Sequence, residues 1–424
     1  MAPWTIDNLH GPDGEDWRVP VSELESRITD LSNHLADAEI AAALIQSPVD
    51  LYYYAGGRQN GALLIPAIDS AASSEQGGDG ATFFVRRSVE RAKFESGGGD
   101  SCLDIQQFPS LRSFAEKLSK MGIDGGLGLQ HGEIPADLSQ KFSSVLAPLG
   151  SVKDCTEIVH RQREKKSNWE LAMMREGANV QRQMFDAVKQ SVELGATELQ
   201  LVAAAEEVSR RHGFGGTVQM RRFPLQCDRA VIVSGRAGGI PSFFDSAIGG
   251  TGPHPMAGMG SGFTKLRANR PILVDLVHVH RGYVVDATRM FSIGGLGESW
   301  LERLSDMVEV SDSVVASLAR GDNCSKAWEI GSELAISMGH GEHLMGMQPD
   351  QSKFLGHSVG LQLDESPVVA RGFDRPLVDN GVMAIEPKLV FEDGSIGLED
   401  TWVKTSQGME RITLDDSYEL IIDC

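Results

Sequence analysis

Two runs of β-branched and apolar residues between 274 and 291 are separated only by Arg281-Gly282, a pattern that predicts a β-hairpin with a two-residue turn. This register places Val277 opposite Asp286. Asp275 lies two positions before Val277, and side chains of a strand alternate between faces, so Asp275 shares its face with Asp286. The two carboxylates become diagonal neighbours, about 7 Å apart at the backbone.

Two carboxylates on one inward face repel each other and are costly to desolvate unless a cation lies between them. Divalent ions that prefer oxygen ligands would supply this charge. The hairpin alone leaves a second interpretation equally open, in which the strands are exposed and both aspartates are solvated. Residues elsewhere in the chain decide between a buried cation site and a solvated surface.

The composition argues against several classes of protein. A formal net charge of −20 over 424 residues argues against nucleic acid or an anionic membrane as the main partner. The sequence has no apolar run of transmembrane length, and residues 1–8 lack the basic start and apolar stretch of a secretory signal. The five cysteines are scattered, which is typical of reduced cytosolic thiols rather than of a disulfide framework. We therefore expect a cytoplasmic protein.

The first part of the chain alternates between helical and strand-like segments, which predicts a compact α/β domain over residues 1–160. A helix is expected at Val21–Ala36 and a shorter one at Ser88–Glu95. The strand-like runs are Ala41–Ile45, Leu51–Tyr54, Ala62–Ile65 and Thr82–Val85. The glycine-rich segment Asp69–Ala81 is predicted to be a loop within this domain.

A change of composition near residue 160 indicates a second domain, 161–424. Ser167 and Glu170 form a predicted capping box at the start of a helix. Further helices are predicted at Leu199–Arg211, Trp300–Leu318 and Cys324–Met338, and strands at Val218–Pro224 and Ala230–Val233. The Gly/Pro-rich stretch Gly235–Gly262 is long enough to suggest a functional loop, and it contains His254, a candidate catalytic residue.

Three later segments each place a metal-binding type of side chain within an apolar frame, at His357, Glu386 and Glu399. Buried carboxylates without partners are costly, so both glutamates require a cation. Together with Asp275 and Asp286 these residues make four carboxylates and one imidazole. This set suits two adjacent divalent ions, such as manganese, iron(II), cobalt or zinc, better than one structural zinc. Two ions would activate a bridging water and hold the oxygens of a polarised substrate.

The order Asp…Asp…His…Glu…Glu, in which the second aspartate follows the first by 11 positions, resembles the pita-bread metallopeptidase family of prolidase, aminopeptidase P and creatinase. Supporting contexts are Tyr283…Asp286-Ala-Thr-Arg, Gly356-His357…Gly360, Leu51–Gly56, Glu90–Ser96 and Arg163–Arg175. The resemblance therefore covers nearly the full chain. It implies an α/β (α+β) fold in which a creatinase/prolidase-type N-terminal α/β domain precedes a pita-bread catalytic domain, a duplicated half-barrel with the metals at its centre.

By position, the resemblance implies that Asp275 binds one metal ion and that His357 with Glu386 binds the other. Asp286 and Glu399 would bridge the two ions, for which manganese is favoured. Glu386 would also accept a proton from the attacking water. A homodimer that acts on a small peptide or peptide-like substrate follows from the same resemblance.

The residues expected near the substrate depart from the family pattern. Asp364 stands where the family carries a histidine, seven residues after the ligand histidine, and an aspartate could act as a general base or hold a cationic substrate. Val277 replaces a usual glycine, Lys388 replaces the glycine that follows glutamate and proline, and Gly397 replaces an arginine two positions before the last glutamate. His254 lies roughly where the family places a proton-shuttling histidine, at a longer offset.

Four functions remain open on these residues. The leading one is a dinuclear metal hydrolase that cleaves a C–N bond and resembles an Xaa-Pro peptidase. The second is a lyase of the dimethylsulfoniopropionate-cleaving type with Asp364 as the base, and the third is a creatinase-like hydrolase that works without metal. The fourth is a non-enzymatic binding module, against which five polar residues retained in apolar strands argue.

Overall fold

The computed structural model describes residues 9–68, 80–223, 227 and 230–424, and the chain divides into two compact units, Met1–Arg163 and Glu164–Cys424. The predicted loop Asp69–Ala81 lies almost wholly outside the described residues. No helix in the described part of the chain combines the length and the apolar character that a membrane crossing requires. The helices predicted from the sequence are confirmed to within a residue or two.

The first unit is an α/β domain, as predicted, built on a six-stranded sheet. Its helices and strands in chain order are α1 (Val21–Asp37), β1 (Ala42–Ile45), α2 (Pro48–Ala55), β2 (Gly61–Pro66), β3 (Thr82–Val85), α3 (Val89–Glu95), β4 (Asp104–Gln107), α4 (Phe114–Lys120), β5 (Leu127–Leu129), α5 (Ala136–Leu146), β6 (Val152–Asp154) and α6 (Thr156–Glu164). The strand order is β4-β3-β2-β1-β5-β6. Four phenylalanines, at 84, 108, 114 and 142, pack in the core beside this sheet.

The strand predicted at Leu51–Tyr54 is wrong, because these residues belong to helix α2. Pro48 occupies the first turn of that helix, where a backbone N–H has no partner within the helix, so proline loses no hydrogen bond there. Gly56 ends the helix in the left-handed conformation, with φ of 70°. The helix boundaries therefore override the preference of three consecutive tyrosines for a strand.

The second unit contains two repeats of a helix pair and a sheet. The sheet of the second repeat is antiparallel, and that of the first includes one parallel strand pair. Its elements are α7 (Asn168–Ser191), α8 (Glu198–Arg211), β7 (Ala230–Ser234), β8 (Ile272–His280), β9 (Tyr283–Ser292), α9 (Glu298–Ala319), α10 (Cys324–Ser337), β10 (Phe354–Ser358), β11 (Glu365–Ala370), β12 (Val382–Ile385), β13 (Lys388–Phe391), β14 (Gly394–Gly397), β15 (Asp400–Thr405), β16 (Gly408–Arg411) and β17 (Ile421–Asp423). Ser167 and Glu170 make the predicted capping box at the start of α7.

In the first repeat, α7 packs against β8 and β9 of the four-stranded sheet β17-β9-β8-β7. In the second, α10 packs against β10 and β11 of the five-stranded sheet β11-β10-β12-β15-β16. Strands β13 and β14 form a separate two-stranded ribbon. This repetition fits the half-barrel duplication that the sequence resemblance implies.

The strand predicted at Val218–Pro224 is wrong over residues 218–223, which are irregular, and Pro224 lies outside the described residues. The backbone of this segment makes hydrogen bonds with residues 363 and 364 instead of with a neighbouring strand. Leu363 donates its N–H to the carbonyl of Gln219, and the next donors along the segment bond to an aspartate side chain. These bonds replace the ladder that a strand would need.

Candidate functional site

The hairpin that carries two of the candidate ligands has the predicted register, with Val277 opposite Asp286 between β8 and β9. Arg281 and Gly282 form the turn, and both have positive φ, 49° and 97°, as two-residue turns between twisted strands require. Asp275 and Asp286 line the same cavity. The exposed-hairpin interpretation is wrong, because β9 is buried along its whole length.

The other three candidate ligands come from neighbouring strands of the second repeat. His357 lies in β10, Glu386 follows β12 and Glu399 precedes β15, and these strands are adjacent in the order β10-β12-β15. Reciprocal backbone hydrogen bonds join Glu399 to Thr288 in β9. The structure thus brings all five predicted ligands around one cavity of about 250 Å³.

Three of these residues present atoms that one cation would satisfy. Asp286, His357 and Glu399 each offer a ligand atom, and the three atoms lie within 4.8 Å of one another. Nδ1 of His357 lies 2.8 Å from the carbonyl oxygen of Leu363, so donation there leaves Nε2 as the ligating atom. Asp286 Oδ1 and Glu399 Oε1 are buried and have no hydrogen-bond partner among the described residues. Because buried oxygens without partners are costly, this trio fits one divalent ion.

A lysine lies on the other side of the same carboxylates. The Lys388 side chain is fully buried, and its Nζ is 2.6 Å from Glu386 Oε2, 2.7 Å from Glu399 Oε2 and 3.4 Å from Asp275 Oδ2. The sequence marks this lysine as a departure from the family pattern, but no local signal reveals what its side chain contacts. The residues present fit one ion, whereas the position among these three carboxylates already holds an ammonium group and does not fit a second.

Four carboxylates around one ammonium group cannot all ionise at low cost. Burial and the charge of Glu386 raise the pKa of Glu399 to about 8, and burial and the charge of Glu399 raise the pKa of Asp286 well above its usual range. For Glu386, burial is outweighed by Lys388 and His357, which lower its pKa to about 2. Burial of His357 is likewise outweighed by Glu386, and the pKa of the imidazole is raised to about 9. Burial also raises the pKa of Asp275, so the carboxyl groups with raised pKa include Asp286 and Glu399, each of which has one oxygen without a hydrogen-bond partner among the described residues.

Asp364 lines the cavity but does not join the trio. Its Oδ1 accepts a hydrogen bond from the backbone N–H of Arg221 at 2.6 Å, and its Oδ2 accepts one from that of Arg222 at 3.0 Å. The guanidinium of Arg222 lies 3.5 Å from the same carboxylate. Asp364 therefore anchors the irregular segment 217–223 to the cavity wall. Its role as a general base stays a prediction.

His254 lies away from these residues. Its side chain is exposed, and its carbonyl accepts a hydrogen bond from Ala257 in the Gly/Pro-rich loop. The described residues that line the cavity do not include it. The structure therefore does not bring His254 to the predicted ligands.

The sequence does not predict which side chains hold Glu399 in place. The fully buried guanidinium of Arg289 donates to the backbone carbonyls of Thr288 and Glu399, at 2.8 Å and 2.9 Å, and makes two bonds to Asp400, at 2.9 Å and 3.1 Å. The hydroxyl of Thr288 donates to Glu399 Oε2 at 3.0 Å. The sequence marks Arg289 only as the end of the Asp286-Ala-Thr-Arg context, and it does not predict that this arginine pairs with Asp400.

Two family models match the chain. The model described as metallopeptidase family M24 matches residues 172–406, and the model described as the creatinase/prolidase N-terminal domain matches residues 27–165. Among curated proteins, an Xaa-Pro dipeptidase of Pyrococcus furiosus is 21% identical over 392 residues, which are 92% of this chain and 98% of the relative. An Xaa-Pro dipeptidase of Pyrococcus horikoshii is 23% identical, over 88% of this chain and 93% of the relative.

Solved structures show the same fold. An Xaa-Pro dipeptidase from Bacillus anthracis superposes with a TM-score of 0.75 at 18% identity, over 94% of this chain and 100% of that one. An X-Pro aminopeptidase from Thermotoga maritima superposes with a TM-score of 0.71 at 19% identity, over 91% of this chain and 98% of that one.

Proposed function

The chain belongs to metallopeptidase family M24 and is a hydrolase, and on this premise we propose that it uses metal to cleave a C–N bond in a small peptide or peptide-like substrate. An Xaa-Pro bond is the first candidate, because the relatives from both Pyrococcus species carry that specificity in their names. The observation that carries the proposal is the convergence of five ligand-type side chains on one cavity. A cytoplasmic location and a homodimer belong to the same proposal.

The other residues of the cavity support a small substrate with an apolar part and a negative charge. Phe354, Val368 and Phe373 form an apolar wall that would accept the ring of proline or a similar side chain. Arg222 and Lys353 also line the cavity. The guanidinium of Arg222 is paired with Asp245 and Asp364, so Lys353 is the residue whose charge would attract the carboxylate of a short peptide.

Within this proposal the five ligand-type residues have separate roles. A divalent ion bound by Asp286, His357 and Glu399, with manganese favoured over iron, cobalt and zinc, would polarise the scissile carbonyl and acidify the attacking water. Glu386, whose Oε1 lies 3.2 Å from His357 Nε2, is placed to accept a proton at the edge of that trio. A second ion, as the resemblance implies, would need Asp275 and Glu386, the carboxylates that contact Lys388.

One observation favours a second candidate, a creatinase-like hydrolase that works without metal. The ammonium of Lys388 already supplies a positive charge to three of the carboxylates, which lessens their need for an ion. The lyase alternative gains no such support, because both oxygens of Asp364 accept backbone hydrogen bonds.

The test is turnover of the purified protein after incubation with manganese. Xaa-Pro dipeptides and tripeptides are assayed for released proline, creatine for released urea, and dimethylsulfoniopropionate for dimethyl sulfide. Proline release that a chelator abolishes, and that Asp286→Ala lacks, would support the proposal. Urea release that survives the chelator would replace it with the creatinase-like function, and dimethyl sulfide would move the protein out of the hydrolases.

A further inference from the structure

The buried lysine beside the candidate metal trio points to a change in the number of metal ions. Building on the proposed metal-dependent function, we propose that the ammonium of Lys388 takes the place of one of the two divalent ions. The centre then binds a single ion, through Asp286, His357 and Glu399.

The ammonium group of Lys388 lies at the position where a second ion would bind. The Lys388 Nζ lies within 3.4 Å of one oxygen each from Asp275, Glu386 and Glu399, and three of the four predicted carboxylate ligands therefore converge on it. Divalent ions of this class bind carboxylate oxygens at roughly 2.0–2.2 Å. An ion that used these three oxygens would overlap the volume of the ammonium group, so the two are alternatives at that position.

Strand β14, which pairs with β13, leaves space for the Lys388 side chain. Lys388 in β13 pairs with Gly397 in β14. A Cβ added at Gly397 would lie 2.7 Å from Cα and 2.8 Å from Cγ of Lys388, and 2.5 Å from the carbonyl oxygen of Pro387. The contacts with Pro387 and with the Cα of residue 388 involve backbone that any residue at 388 would have, so glycine at 397 is required for the close approach of β13 and β14. The contact with Cγ shows in addition that a side chain at 397 would compete with the Lys388 side chain for space. The two departures from the family pattern are thus direct neighbours across one strand pair.

Lys388 leaves some ligand-type atoms of the cavity without a hydrogen-bond partner. Glu399 Oε2 accepts hydrogen bonds from Lys388 and from Thr288, whereas its Oε1 has no hydrogen-bond partner among the described residues. Asp286 Oδ1 also has no hydrogen-bond partner among the described residues, and His357 Nε2 lies 3.9 Å from Glu399 Oε1. One ion position thus remains, with two oxygens and one nitrogen around it.

The charges are compatible with a single ion. One divalent ion and the Lys388 ammonium group together neutralise three of the four carboxylate charges, so the buried cluster does not need a second ion to come close to neutrality.

The experiment counts metal ions in the intact protein. Protein stripped with a chelator is titrated with Mn²⁺ by calorimetry, and the metal retained after gel filtration is measured by mass spectrometry. We expect about one ion per chain and an uncoupled six-line Mn²⁺ spectrum in electron paramagnetic resonance. Lys388→Gly should bind a second ion and show the exchange-coupled spectrum of a manganese pair. Lys388→Ala removes the same ammonium group without the backbone freedom of glycine and should bind two ions even if Lys388→Gly folds poorly.

Lys353→Gly is the matched control, since it removes an exposed lysine of the same cavity and should leave the stoichiometry at one. Two ions in the unaltered protein would overturn the inference, as would none, or Lys388→Gly and Lys388→Ala proteins that both still bind one. The readout is independent of the proposed function. A protein that binds one ion but releases no proline would refute the peptidase while leaving the metal count intact.

Discussion

Replacing Arg289 with methionine should lower the free energy of unfolding of the second unit by about 3–5 kcal/mol. The guanidinium is fully buried and makes two hydrogen bonds to Asp400, which is only 3% exposed. Methionine fills a similar volume but leaves that carboxylate without its main counter-ion in a site that water does not reach. At roughly 2–4 °C per kcal/mol for a unit of this size, the thermal midpoint should fall by roughly 6–20 °C.

Arg411→Met is the matched control because Arg411 pairs with the same carboxylate. Its guanidinium lies 3.5 Å from Asp400, and its side chain is 23% exposed. A partly solvated ion pair of this kind is worth about 0–1 kcal/mol. The two variants thus remove the same charge from the same partner and differ chiefly in burial.

The stability that Arg289→Met loses should also depend on pH. Burial of Asp400 outweighs its arginine partners and raises the pKa of its carboxyl group, so the folded state binds the proton more tightly than the unfolded state does. Stability from this group therefore falls as pH rises above the unfolded pKa. Without Arg289 the pKa of Asp400 is raised further. The difference in free energy of unfolding between Arg289→Met and the unaltered protein should therefore grow from pH 5 to pH 8.

Thermal and urea unfolding followed by circular dichroism at pH 5, 6.5 and 8 would measure these differences. The reasoning fails if Arg289→Met costs no more than Arg411→Met, or if its deficit shrinks as pH rises. Because Arg289 also bonds to the backbone carbonyl of Glu399, metal affinity should weaken in Arg289→Met and not in Arg411→Met.

Three further predictions concern single side chains. Asp286→Ala should lose the bound metal and the activity, because it removes one of the buried carboxylate oxygens that have no hydrogen-bond partner among the described residues. Metal analysis of the purified variant would measure the loss of the ion. Asp364→Ala should keep its metal but lose turnover and be cut faster by trypsin in the 217–223 segment, since the acceptor for two backbone donors is gone; unchanged digestion would contradict the anchoring role. Burial lowers the pKa of His278 to about 3, so the unfolded state takes up a proton as pH falls below about 6.5 while the folded state does not, and acid destabilises the fold. His278→Phe should flatten the fall of the urea midpoint between pH 6.5 and 4, and His254→Phe, at an exposed position, should leave it unchanged.

The sequence determined the features that depend on local periodicity. The hairpin register follows from alternation along two strands and a turn of two residues, and it correctly placed Asp275 and Asp286 on one face. The capping box at Ser167 and the helix positions follow in the same way from short-range patterns. The family resemblance identified the order of the ligand-type residues, because their spacing along the chain is itself a pattern.

The tertiary structure alone decided which atoms of these residues remain available. The contact of Lys388 with three carboxylates depends on strands that lie up to 113 positions apart in the sequence and on the space above Gly397. The pairing of Arg289 with Asp400 likewise joins two strands separated by 111 positions. Periodicity shows which face a side chain occupies, but the partner across a buried interface is set by long-range packing. For that reason the five ligand-type residues around the cavity could be predicted from the sequence, whereas the contacts of the Lys388 ammonium group with three of them could not.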